Sequence, residues 1–371
     1  MSVPEDQQSV LAKRRGFTKG RGSGSNEQSR FIRARIEPVA DGWETALNAD
    51  LIPAPKTRLL IDRTQKIITR NTSPDISFDQ SVNPYKGCEH GCIYCFARPT
   101  HAYLDLSPGL DFETKIFYKS NVRAHLLKEL SHPKYKCKTI AIGTNTDPYQ
   151  PAERQQRVMR EVLETLVELR HPVSIVTKSA LILRDLDLLS ELASQNLIQV
   201  YVSVTTLSND LKAKLEPRTA APGARLRTIT ALGNAGVPTG AMLAPIIPFI
   251  NDHEIESLVQ ACAGAGAQML GYILIRLPLE VRPLFEDWLH EHYPLKAARV
   301  MAAIRDTRGG TTYQSKWHTR MVGEGPIAQL IQQRFKHSRL RAGIGHSSPT
   351  PLRTDLFIPP ARPDNRQLDL F

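Results

Sequence analysis

The chain has 371 residues, with 48 Lys and Arg against 37 Asp and Glu, 41% hydrophobic residues and five cysteines. That length suits one barrel-sized domain with extensions, and no apolar run approaches the roughly 20 residues of a membrane span. The first residues lack the apolar segment of a secretory leader, and an odd cysteine count speaks against a disulfide framework, so a cytoplasmic protein in a reducing compartment is expected, with no membrane partner.

The net charge of +11 is unevenly placed: residues 1–35 carry +5 and residues 296–341 carry +8, which leaves the rest at −2. Two basic flanks on a near-neutral body suit a polyanionic partner such as nucleic acid. Residues 1–35, rich in Gly, Ser, Gln, Lys and Arg, hold too few apolar side chains to order themselves and are expected to form a disordered basic arm. Residues 36–75 read as a lead-in segment packed against the next unit. Within 76–290 strand and helix patterns alternate. A short strand after Ile76 ends in the stretch 83–101, which holds Cys88, Cys92 and Cys95. An edge-like segment, 114–118, precedes a helix that starts at Ser120 or Asn121 and runs to Leu130. Further strands are expected at 139–144, 172–178, 198–206, 238–247 and 268–277, with helices over 152–169, 181–195, 222–235, 251–266 and 283–305. Six strands, each followed by a helix, give an α/β fold in which parallel βαβ units close part of a TIM-type barrel. Residues 291–345 read as a basic α-helical C-terminal extension and 346–371 as a flexible tail. Cys137 and Cys262, outside the cysteine stretch, read as small buried hydrophobes.

The spacing C-x3-C-x2-C, with Gly87 and Gly91 to let the backbone fold back, can aim three thiolates at one metal centre. A single zinc would need a fourth protein ligand, for which His90 and His101 are at hand. A four-iron cluster on three cysteines would leave one iron open to an exogenous ligand.

With Tyr94 before the last cysteine, this loop resembles that of the radical S-adenosylmethionine (radical SAM) enzymes, and CEHGCIYCFARPTH is most similar to the spore photoproduct lyase-like group of DNA repair enzymes. The resemblance implies a [4Fe-4S] cluster on Cys88, Cys92 and Cys95, an electron donor to reduce it, and S-adenosyl-L-methionine chelated at the open iron. Reductive cleavage of that cofactor gives a 5′-deoxyadenosyl radical. It also implies a partial (β/α)6 barrel, in which working residues sit at the C-terminal ends of strands. By resemblance, Asp147 beside Thr146 receives the cofactor's amino group, Lys178 reaches its carboxylate or ribose, and Ser203 faces the nucleoside. Arg218 captures the methionine carboxylate, and Tyr94 stacks on the adenine edge. Each has a plainer counterpart: a turn at Asp147-Pro148, a solvent-seeking Lys178, a packing serine, an ion pair of Arg218 with Glu216 or another acid.

Two departures stand out. Where the lyases return a hydrogen atom from a cysteine at the end of strand two, this chain has Asn145, and the tyrosine that follows their third cluster cysteine is Phe96 here. An amide and a phenyl ring are poor hydrogen-atom donors. The sequence thus reads as a radical SAM enzyme acting on nucleic acid, with DNA lesion repair as the lyase-like case; the alternatives are modification of an RNA or protein target, or a non-catalytic zinc or iron–sulfur nucleic-acid-binding protein. The last residues, Gln367 to Phe371 (QLDLF), resemble the peptide by which bacterial repair proteins dock on the DNA sliding clamp, with Leu370 and Phe371 entering an apolar pocket.

Overall fold

The computed structural model describes residues 20–32, 56–345 and 350–361; the QLDLF segment lies outside them. In chain order come β1 (Arg58–Asp62), β2 (Ile68–Arg70), β3 (Gln80–Val82), β4 (Tyr85–Lys86), β5 (Lys115–Lys119), β6 (Ile140–Ile142), β7 (Val173–Thr177), β8 (Ile198–Ser203), β9 (Thr239–Ile246) and β10 (Met269–Leu274). β3, β6, β7, β8, β9 and β10 lie side by side and parallel, with β2 antiparallel at the β3 edge. These are the six strands the sequence indicates, and the open parallel sheet is the partial TIM-type barrel. Ile140, Ala141 and Ile142 of β6 are all buried. Covered on both faces, such strands read as apolar runs rather than alternating patterns.

Helices between strands bury one stripe each. On the helix Val158–Glu168, Val158, Met159, Val162, Leu163 and Leu166 enter the core at helical spacing. Two expected helices prove interrupted. The stretch 152–169 divides at Arg157, whose φ of 52° is left-handed. The stretch 283–305 divides at Pro294, which starts the helix Pro294–Asp306 after Val281–His292. Proline lacks the N–H that would continue the ladder and restricts the residue before it. Asn121 occupies the N-cap position of the helix Val122–Leu130, but its side chain makes no capping bond.

The expected disorder of 1–35 does not extend to residues 20–32. Ser23 and Ser29 are buried, and the segment lies against the cysteine stretch. The described part of the lead-in is not merely packed on the barrel: β1 pairs in parallel with β5, and β4 pairs antiparallel on the other side, giving a second, three-stranded sheet. Residues 350–361 are likewise fastened. Ile358 N donates to the Leu169 carbonyl at 2.9 Å, and Phe357 packs edge-on to His171. Cys262 is fully buried as expected, whereas Cys137 is only partly so. Among the described residues, no helix is long and apolar enough to cross a membrane.

Candidate active site at the cysteine loop

The cysteine loop leaves β4 at the C-terminal mouth of the barrel. Its course is set by Gly87 and Gly91, with φ of 80° and 67°, the left-handed region that glycine enters without penalty. Beneath it, Arg98 is fully buried and spends its guanidinium on the loop. Nε donates to Cys92 O at 2.9 Å, Nη1 to the Pro108 and Gly109 carbonyls, and Nη2 to Glu113 Oε1 at 2.6 Å. The Glu113 carboxylate also accepts the backbone N–H groups of Gly22 and Ser23 at 3.0 and 2.9 Å. Residues 20–32 therefore close the loop from outside. Ile93, fully buried, plugs it into an apolar cluster with Leu211, Leu215 and Trp288.

The loop after β6 clamps the other side. Gln150 donates to Gly87 O at 3.1 Å and accepts from Glu89 N at 2.9 Å. Thr146 Oγ1 donates to Tyr85 O at 3.1 Å. Asp147 accepts from Tyr149 N and Thr177 Oγ1 on one oxygen and from Lys178 N on the other, which also lies 3.4 Å from His90 Nδ1. Three of these are hydrogen bonds and the fourth is an ion-pair approach, so much of the carboxylate's acceptor capacity is used within the protein. Asp147 thus ties β6 to β7 and lies against His90, a structural role beside the one the resemblance implied. Burial would raise its pKa, but the His90 charge and these bonds more than offset it, so the carboxyl is held below its usual range.

Inside the mouth lies a polar network around Glu216, a fully buried residue. It accepts from the Tyr94 hydroxyl, from Thr205 Oγ1 at 2.8 Å and from Arg225 Nη2, and Lys178 Nζ lies 3.5 Å away. Arg225 Nη1 donates in turn to Ser203 O at 3.0 Å. Burial opposes the Glu216 charge, yet Arg225, Lys178 and the Tyr94 bond hold its carboxyl well below the usual range. Lys178 Nζ points inward, 5.9 Å from the Tyr94 ring centroid, rather than to solvent. Tyr94, Lys178 and Ser203 are thus brought together, whereas Arg218 lies against the cysteine loop itself, paired with Glu89 at 3.2 Å and donating its backbone N–H to His90 O at 3.3 Å. The acid it pairs with is Glu89, and the Glu216 partner is Arg225. Glu216, Arg225, Arg98 and Gln150 were not among the sequence candidates. Arg225 was legible: with Thr228, Ile229 and Leu232 it repeats at three and four residues, a charge placed on an apolar stripe.

Cys88, Cys92 and Cys95 are free thiols. Burial, then nearby acidic groups, pushes those of Cys88 and Cys92 up; burial alone raises Cys95. Taking a metal there would expel their protons. His101 Nε2 lies 3.0 Å from Lys115 O and His90 Nδ1 lies 3.4 Å from Asp147, so each histidine is oriented through one ring nitrogen. Among the described residues no three His, Cys, Asp or Glu groups converge as a single-ion site. The donor set is three thiols on one loop, which fits a four-iron cluster with one iron left to an outside ligand.

A six-stranded parallel partial barrel with a three-cysteine loop at its mouth defines a class of cofactor-dependent enzymes. The chain belongs to the radical SAM superfamily, whose family model matches residues 82–262. An uncharacterized protein of Mycobacterium tuberculosis is 40% identical over 232 residues, 62% of this chain and 68% of that protein. Another, of Methanocaldococcus jannaschii, is 27% identical over 57% of this chain and 76% of its own length. Among solved structures, a spore photoproduct lyase variant with bound AdoMet and dinucleoside spore photoproduct shares the fold, with a TM-score of 0.55, 16% identity, and 76% and 78% of the two chains covered. Membership implies S-adenosylmethionine and a [4Fe-4S] cluster.

Proposed function

We propose that Cys88, Cys92 and Cys95 hold the [4Fe-4S] cluster and that the chain acts on nucleic acid. The observation that carries the reading is the cysteine loop, fastened on three sides at the barrel mouth beside the Tyr94, Lys178 and Glu216 network. With both groups bound, the site supplies reductive cleavage of S-adenosylmethionine to a radical that abstracts hydrogen. The chain's own residues do the rest: Arg98 and Gln150 fix the loop, Tyr94 and Ile93 line its dry side, and Lys178 presents a cation for the cofactor's carboxylate or ribose. The basic flanks support a nucleic-acid target, with modification of RNA or protein as the competing reading. Asn145 and Phe96 argue against spore photoproduct cleavage by a thiol and phenol relay.

The test is anaerobic reconstitution, reduction and incubation with S-adenosylmethionine and candidate nucleic acids, the dinucleoside spore photoproduct included. About four irons per chain and 5′-deoxyadenosine release are expected, with the spore photoproduct left intact. Cys88→Ala, Cys92→Ala or Cys95→Ala should each abolish the brown chromophore and cofactor cleavage, while Cys137→Ala and Cys262→Ala should not. One tightly held zinc and no iron would end the reading.

A further inference from the structure

Arg276 follows β10 at the mouth. Its guanidinium carbon lies 5.3 Å from the ring centroid of Phe96, the residue next to Cys95, and 6.0 Å from that of Tyr313. It forms no ion pair among the described residues; its one hydrogen bond is a weak contact to Met321 Sδ at 3.4 Å, and its buried Nε has no partner. Directly behind stands Arg308, 1% exposed, which donates to the carbonyls of Leu274, Ile275, Thr319 and Arg320 and thereby ties β10 to the segment 319–321. Burial, then the neighbouring Arg276 charge, pushes Arg308 down to about 10, with Tyr313 and Glu324 acting the other way. Two guanidiniums side by side repel each other unless an anion stands between or beside them.

Other arginines of the site are already spent. Arg98 is paired with Glu113, Arg225 with Glu216, and Arg218 with Glu89. Arg276 lies between the Phe96 and Tyr313 rings with no carboxylate partner among the described residues and only a weak sulfur contact, so its charge is available to an oxyanion. Phe96 is 48% exposed beside it, offering a face on which a planar ring can stack. A cation for an oxyanion and a ring face next to it match one nucleotide unit.

We propose that Arg276 binds a phosphate of the substrate at the barrel mouth, with the adjoining base on Phe96; this rests on the nucleic-acid reading above. It gives the substrate a fixed point beside Cys95, where hydrogen abstraction would occur, and a role to Phe96 other than the hydrogen relay it has no means to join.

The full chain and its Arg276→Gln and Arg276→Lys variants are compared in two assays. In the first, pyrophosphate at constant ionic strength should raise the melting temperature of the wild type and not that of Arg276→Gln. In the second, anisotropy of a fluorescein-labelled 12-nucleotide single-stranded DNA should show binding weakened roughly ten-fold by Arg276→Gln, the scale of one charged hydrogen-bonded contact. The salt slope should fall by about 0.7, one phosphate contact on a single strand. Arg276→Lys should keep the slope and lose part of the affinity, and Phe96→Ala should weaken binding without changing the slope. Oligonucleotide binding and a pyrophosphate shift both indifferent to Arg276→Gln would overturn the proposal while leaving the nucleic-acid reading intact. A pyrophosphate effect that depends on Arg276, with no oligonucleotide binding by the wild type, would keep the anion site and sink nucleic acid as the substrate. Equal melting temperatures of the four proteins without ligand exclude misfolding as the cause.

Discussion

Glu216 and Glu113 are both carboxylates with no exposure to water, each opposite one buried arginine. Removing one partner of such a pair leaves an uncompensated charge and costs about 3–5 kcal/mol. Arg98→Met should therefore lower the urea midpoint of the apoprotein by that scale and also reduce iron retained after reconstitution, because the same guanidinium holds Cys92 O. Iron content at wild-type level with the midpoint lowered would show that the pair stabilises the fold without shaping the loop. His171 gives a pH dependence of known sign. Its ring, with Nδ1 3.0 Å from the Pro172 carbonyl, is buried, and burial lowers its pKa to about 4. The unfolded chain has an ordinary value near 6.5 and so binds more protons between those limits, which makes the contribution whole above pH 6.5 and lost as pH falls toward 4. His171→Gln should flatten the decline in stability between pH 7 and 5 by on the order of 1–2 kcal/mol; an unchanged slope would count against it. At this scale spacing and strand position single out the three cysteines and Lys178 as candidates in the sequence. The sequence hid Glu113 and Glu216, because although Arg98 and Arg225 lie 15 and 9 residues away, Gly22, Ser23 and Tyr94, which complete their surroundings, come from distant chain segments.

The segment 20–32 shows why composition alone misplaced an element. It is polar and glycine-rich, yet it is held by backbone N–H groups donating to Glu113 and by polar side chains such as Ser29, whose hydroxyl donates to Ala102 O, and those bonds need no apolar side chains. A Cβ at Gly22 would lie 1.7 Å from the Gly91 carbonyl oxygen, an impossible contact between two main chains. Gly22→Ala should therefore detach the segment and expose the buried Arg21 to trypsin, with faster loss of iron in air as the second readout. Resistance equal to wild type would mean the loop stands without this cover. Five of the six barrel strands, by contrast, were legible to within a few residues, since short apolar runs separated by helical periodicity have few other readings, whereas β3, only Gln80–Val82, was marked by its place before the cysteine stretch. The second sheet was not, because β1 and β5 pair across more than fifty residues of intervening chain.

Across the molecule, the basic C-terminal extension is less free than its charge suggests. Arg334 is paired with Glu256, Arg320 with Asp75, and Arg308 is buried, while Lys316 and Lys336 remain exposed. Net charge marks attraction to a polyanion but does not say which cations are available. The QLDLF segment carries a separate proposal, docking on the sliding clamp. A labelled peptide ending in that sequence should bind bacterial clamp at micromolar concentration and lose binding on Leu370→Ala or Phe371→Ala; no binding at high micromolar clamp refutes it. The six-stranded sheet also has two ends that never meet as strands. Near one, Met321 O accepts from Leu274 N, and the adjoining Arg320 reaches Asp75 and Ser73 in the loop between β2 and β3 at the other. Among the described residues the seam is thus fastened at a point, by Arg320 and His318 N on Asp75 and Arg320 on Ser73, rather than by a strand ladder. The Asp75 side chain is almost wholly buried there, and a pair so shielded is screened little by added salt, so the fastening should hold across ionic strengths that loosen surface pairs.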